Sequence, residues 1–97
     1  MKRLSNKEIL NELSLLNDWV LNDNQITKVY KLNSFMEVMS LANLVSDKSE
    51  QIDHHPKMII DFNQIEFLIT THSEGGITNL DFLLASFIEE TYSELFS

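Results

Sequence analysis

The stretch from Met58 to Thr70 limits the fold more than any other part of the chain. Met58, Ile60 and Phe62 alternate with Ile59 and Asp61, and Ile65, Phe67 and Ile69 alternate with Glu66, Leu68 and Thr70. A period of two sorts side chains onto the two faces of a β-strand, and no helix can gather them. Asn63-Gln64 lies between the runs. Asn tolerates left-handed backbone, so the pattern predicts a two-residue hairpin turn there. In that register Phe62 faces Ile65, Ile60 faces Phe67 and Met58 faces Ile69, which makes one apolar core face.

The remaining elements follow from caps and periodicity. Ser5 and Glu8 form a capping box, and Ile9, Leu10, Leu13 and Leu16 recur at helical spacing, predicting a first helix from Asn6 to Leu15. Trp19-Val20-Leu21 reads as a short strand, Asn22-Asp23-Asn24 as a turn, and Gln25–Leu32 as a second strand. Asn33 or Ser34 caps a second helix with Glu37 at the capping-box position. Its buried stripe is Phe35, Val38, Met39, Ala42, Val45 and Ile52, and Pro56 ends it near Asp53 or His54. After a Ser73–Gly76 loop, Thr78 and Asp81 open a third helix with Leu80, Leu84, Phe87 and Leu95 inward, flanked by Ala85 and Ile88. The order α-β-β-α-β-β-α predicts an α+β two-layer sandwich, a four-stranded antiparallel sheet with helices packed on one face. Its other face carries Ile59 and Leu68 among charges, suited to partial cover by a partner subunit. The whole chain, 1–97, makes one domain.

Composition excludes several function classes. With no cysteine there are no disulfides, thiolate metal sites or cysteine nucleophiles. No apolar run reaches membrane-spanning length, and the basic N-terminus leads into no hydrophobic segment of a signal peptide. A formal charge of −8 repels a phosphate backbone, which argues against direct nucleic-acid binding. The expected setting is a reducing, cytoplasmic one.

All three histidines gather at one end of the predicted hairpin. His54-His55-Pro56 precedes its first strand, and extending the ladder places His55 opposite His72. Imidazole changes charge near neutrality without tuning, so the cluster points to proton transfer or metal binding. Glu50 lies one helical turn before His54 and would favour its imidazolium, as would the helix C-terminus. Asp81 could orient a neighbouring histidine or act only as a capping-box partner. Zinc is disfavoured, because adjacent histidines on a strand point to opposite faces and no His-Glu-x-x-His spacing occurs. Ser73 follows His72, but no nucleophile elbow surrounds it. Gly75-Gly76 ahead of a helix is a turn before it is an anion site.

Glu50, His54-His55-Pro56, Phe62, His72 and Asp81, at this spacing, resemble the signature of the pterin-4a-carbinolamine dehydratases. The resemblance runs from Trp19 through the third helix, including Leu84-Ala85-Ser86-Phe87-Ile88-Glu89. Met58 departs from it, standing where many members carry tryptophan. The resemblance implies an enzyme that removes water from 4a-hydroxytetrahydropterin to give quinonoid dihydropterin in tetrahydrobiopterin recycling, with no metal or organic cofactor. His54 and His72 would be the acid–base pair, in an order it does not settle, and His55 would bind or steer the pterin. Glu50 and Asp81 would set protonation and orientation, and Phe62, Thr71 and Ser73 would line the substrate site. It also implies a homodimer or homotetramer, built by extending the sheet or pairing helices. The alternatives are a non-enzymatic dimerisation or transcriptional cofactor, as animal relatives double as, and a role in another pterin pathway such as molybdopterin metabolism.

Overall fold

The computed structural model describes residues 2–97. Four strands, β1 (Val20–Asn22), β2 (Gln25–Lys31), β3 (Lys57–Asp61) and β4 (Gln64–Ile69), form one sheet in the spatial order β1-β2-β4-β3. Every neighbouring pair is antiparallel. Three helices, α1 (Asn6–Leu13), α2 (Phe35–Ile52) and α3 (Asn79–Leu95), complete the predicted element order. The α+β architecture follows from patterning. Ile26, Tyr30, Ile65, Phe67 and Ile69 leave the sheet on one face, and Val38, Leu41, Val45, Leu84, Ala85 and Ile88 of the helices meet them in a single core. Each large side chain so buried contributes about 1.5–3 kcal/mol.

The helix starts match the sequence signals. Ser5 and Glu8 close their capping box on α1, and the Ser34 hydroxyl accepts the Glu37 N–H at 3.1 Å. The helix faces are partly rotated from expectation. In α2 Leu41 is buried, whereas Phe35 is exposed in the first turn. In α3 Phe82 is buried and Leu95, in the last turn, is exposed. Residues at helix ends overhang the sheet, so spacing alone does not bury them. The first helix also stops at Leu13, two residues short of the predicted end.

The β3–β4 register differs from the expected one by two residues. Asp61 pairs with Gln64, Ile60 with Ile65 and Met58 with Phe67. The turn is therefore Phe62-Asn63, not Asn63-Gln64, and Phe62 sits at its tip with φ 51 and 68% exposure. A slip of two keeps every side chain on its original face, so the alternating pattern could not distinguish the registers. Phe62 thus faces no core partner. The β1–β2 turn is built the same way, with Asp23 at φ 56 between Asn22 and Gln25.

A polar pin fastens α3 to the inner face of β2. Lys28 Nζ reaches Glu89 at 2.8 Å, and the Tyr30 hydroxyl and Trp19 indole N–H donate to the same carboxylate oxygen. Burial pushes the Glu89 carboxyl up, but these donors together outweigh it and leave the group below its ordinary value. Burial first, then the hydrogen bond to Glu89 and the charge of that carboxylate, push the Tyr30 phenol far up.

Two measurements check this account. Left-handed backbone costs a bulky residue roughly 1–2 kcal/mol and Asn much less. Phe62→Asn is expected to raise the unfolding free energy by about 0.5–1 kcal/mol in denaturant titrations. A carboxyl with a depressed folded pKa contributes stability that is fully present above the unfolded value of about 4.3 and is lost as pH falls through the lower folded value. Denaturant midpoints should therefore drop below about pH 4.5, and Glu89→Gln should flatten part of that drop.

Candidate active site

The antiparallel pairing of β3 with β4 brings the residues before β3 and those after β4 to one end of the sheet. His54 and His55 lie on the first of these segments and His72 on the second. What orients each ring is local. Pro56 bars α2 from continuing, and Asp53 turns out of the helix in left-handed backbone, φ 53 and ψ 47. The His54 N–H then closes on the Ser49 carbonyl at 3.0 Å. This exit carries His54 away from the helical face it would share with Glu50. Glu50 pairs instead with His55, through Nε2, and that pair is open to solvent.

His54 points inward. Its Nε2 lies 2.6 Å from Oδ1 of Asp81, a carboxylate with no exposed surface at the first turn of α3. Asp81 is also the capping-box partner of Thr78, so the two roles weighed for it belong to one side chain. The Asp81 Oδ2 atom accepts the Thr78 N–H and the Thr71 hydroxyl, each at 2.8 Å. The His54 side chain keeps 10% exposure. Its Nδ1 makes no hydrogen bond and is not among any buried atoms left without one. That edge of the ring is the one a ligand can reach.

His72 opens a single 3-10 turn, His72–Glu74, beyond the end of β4. The ladder stops at Lys57–Leu68, so His72 does not stand opposite His55 as the expected register had it. The turn is closed by a Thr71–Gly76 bridge and held by Asn24 Nδ2, which donates to the Gly75 carbonyl at 3.3 Å. His72 borders a polar cavity of about 300 Å³ with Asn22, Asn24, Gln25 and Thr70 on its walls, and neither His54 nor His55 lines it. That is the lower end of the size range of small-molecule sites. The two imidazoles are joined by covalent and hydrogen bonds, because Thr71, which precedes His72, donates to the carboxylate that holds His54.

Of the other expected site residues, Ser73 is exposed beside His72, and Thr71 is buried with its hydroxyl turned inward. Phe62 is at the far end of the β3–β4 hairpin, with the whole of β3, roughly 16 Å at about 3.3 Å per residue, between it and His54-His55. It therefore adjoins no histidine of its own chain. The cavity walls from Asn22 to Gln25 were legible only as a turn and the start of a strand, since nothing in a short polar turn marks it as facing a distant residue. Among the described residues, no group of three His, Cys, Asp or Glu side chains is arranged to hold a metal ion, and no helix is long and apolar enough to cross a membrane.

Comparison with known proteins adds to this geometry. A family model described as pterin 4 alpha carbinolamine dehydratase matches residues 2–91. A Sulfurisphaera tokodaii protein, provisionally named pterin-4-alpha-carbinolamine dehydratase, is 39% identical over 90 residues, covering 93% of this chain and 97% of its own. A Chloroflexus aurantiacus protein of the same provisional name is 37% identical with the same coverage. A crystal structure from Brucella melitensis, described as a transcriptional coactivator/pterin dehydratase, superposes with a TM-score of 0.89. It is 28% identical and is matched over 92% of this chain and 97% of that one.

The two carboxylate–histidine pairs should respond differently to deletion. Asp81→Ala removes a helix cap, at about 1 kcal/mol, and strands the buried Thr71 hydroxyl, at about 1–3 kcal/mol. A loss of roughly 2–4 kcal/mol in unfolding free energy is expected. Glu50→Ala should shift it by less than about 0.5 kcal/mol, because exposed ion pairs contribute little.

Proposed function

Because the chain belongs to the pterin-4-alpha-carbinolamine dehydratase family, we propose that it removes water from 4a-hydroxytetrahydropterin by histidine acid–base catalysis, in the recycling of the tetrahydropterin. The C4a–oxygen bond breaks, and the hydroxyl leaves with a delivered proton as water. The neighbouring ring nitrogen gives up its proton, and its electron pair forms the new double bond of quinonoid dihydropterin. The step is redox-neutral and needs one acid and one base, each positioned.

The observation that carries this reading is the His54–Asp81 pair, a partly covered imidazole backed by a carboxylate with no exposed surface. A carboxylate behind one ring nitrogen stabilises the imidazolium formed when the other takes a proton, as in the serine-protease triad. His54 is accordingly the base, acting through Nδ1, and His72, beside its polar cavity, is the acid. His55, paired with Glu50 at the surface, steers the pterin. The cavity's carboxamides, Asn22, Asn24 and Gln25, offer both donors and acceptors to a polar heterocycle.

Self-association is proposed on a separate observation. Val20, Val29 and Ile59 stand exposed on the sheet face that carries no helix. Partly covered apolar surface of this kind suits a homodimer or homotetramer.

The purified protein should accelerate dehydration of 4a-hydroxytetrahydropterin above the uncatalysed rate. His54→Ala and His72→Ala should each lower kcat by about 10²–10⁴-fold with unchanged circular dichroism. Equal rates for wild type, both variants and buffer would exclude the catalytic reading. Sedimentation equilibrium giving a monomer at all concentrations would exclude the oligomer.

A further inference from the structure

An orienting carboxylate is only as fixed as the groups that hold it. Asp81, as a carboxylate, can only accept hydrogen bonds, and a threonine hydroxyl has one proton to give. These two rules set the direction of every bond in the cluster. Thr71 Oγ1 lies 2.8 Å from Asp81 Oδ2 and 2.9 Å from Thr78 Oγ1. Its proton must go to Asp81, so it accepts from Thr78. Thr78, with its proton committed, accepts the Leu80 N–H at 3.3 Å. The chain therefore runs one way, from Leu80 N–H through the Thr78 and Thr71 hydroxyls to Asp81 Oδ2. At the other oxygen, Oδ1 can only accept, so Nε2 of His54 carries the proton.

We propose that Thr71 is a positioning residue for His54: its buried hydroxyl locks Asp81, and Asp81 locks His54 in the Nε2–H tautomer, leaving Nδ1 as the nitrogen that reacts. This deepens the dehydratase reading and rests on it. It also replaces a substrate-binding role for Thr71, because the only proton of its buried hydroxyl is committed to Asp81 inside the protein. Thr71 is buried, adjoins His72 in the chain and bonds the carboxylate that holds His54. One residue thus sets the base through its side chain and, through its backbone bridge to Gly76, anchors the turn that carries the acid. Hydrogen bonds aligned head to tail polarise one another, which stiffens the arrangement beyond its separate pairs.

The test compares wild type, Thr71→Val and Thr71→Ser, each labelled with ¹⁵N in the histidine rings. At a pH where the His54 ring is neutral, wild type should show a single Nε2–H tautomer. Thr71→Val, similar in shape but without the hydroxyl, should show the His54 signals moving toward a mixture of tautomers. It should also lower kcat about tenfold or more, with KM within about twofold of wild type. Thr71→Ser should restore the single tautomer and most of kcat. If Thr71→Val does not fold, Thr71→Ala gives the same readings. An unchanged tautomer in the hydroxyl-free variant overturns the proposal, and so does a raised KM with unchanged kcat, which would mark Thr71 as a substrate ligand. The spectra need no turnover. A tautomer change in a protein without dehydratase activity therefore refutes the catalytic reading while upholding the lock.

Discussion

A carboxylate cut off from water must be satisfied on both oxygens, and Asp81 meets that demand with its own helix cap and two further segments of the chain. It caps α3, takes a hydroxyl from the end of β4 and holds the ring that enters β3. The helix start, the sheet end and the candidate base therefore share one set of bonds. If any one of the three partners shifted, the buried charge would lose part of its compensation, and without His54 one oxygen would have no partner, which proteins tolerate poorly. The geometry of the site is in this sense a condition of the fold.

The exit from α2 has the same character. Pro56 prevents the helix from running on, but the direction of His54 is set by Asp53 in left-handed backbone. Of the described non-glycine residues, Asp18, Asp23, Asp53 and Phe62 have positive φ. Three are aspartates, whose short side chains tolerate that region. Phe62 is the costly exception, and its exposure means that packing does not offset the strain.

Much of this was legible in the chain itself. The caps at Ser5 and Thr78 are short-range signals legible to the residue, and that of the second helix to one of two, Asn33 or Ser34; alternation placed the residues of both strands on their proper faces, while Phe62 falls in the turn. The register was not legible, because a shift of two leaves the faces unchanged and only turn geometry separates the alternatives. The pairing of carboxylates with histidines was misread for a related reason. Helical spacing from Glu50 to His54 holds only while the backbone stays helical, and it does not after Asp53. Asp81 was recognised as a capping residue and as an orienting group, yet the hydroxyl chain through Thr71 joins residues whose proximity no local pattern announces.

The two sides of the histidine site rest on unequal foundations. His54 leans on α3, a long helix sunk in the core and pinned by Lys28 and Glu89. The cavity beside His72 is walled by the turn from β1, a three-residue strand at the sheet's edge. Segments with few ladder bonds and little buried surface open at the smallest free-energy cost. One imidazole therefore stands on an unyielding support and the other beside a compliant one. Movement at the β1 edge would reshape the cavity beside His72 without disturbing His54 or its bond to Asp81.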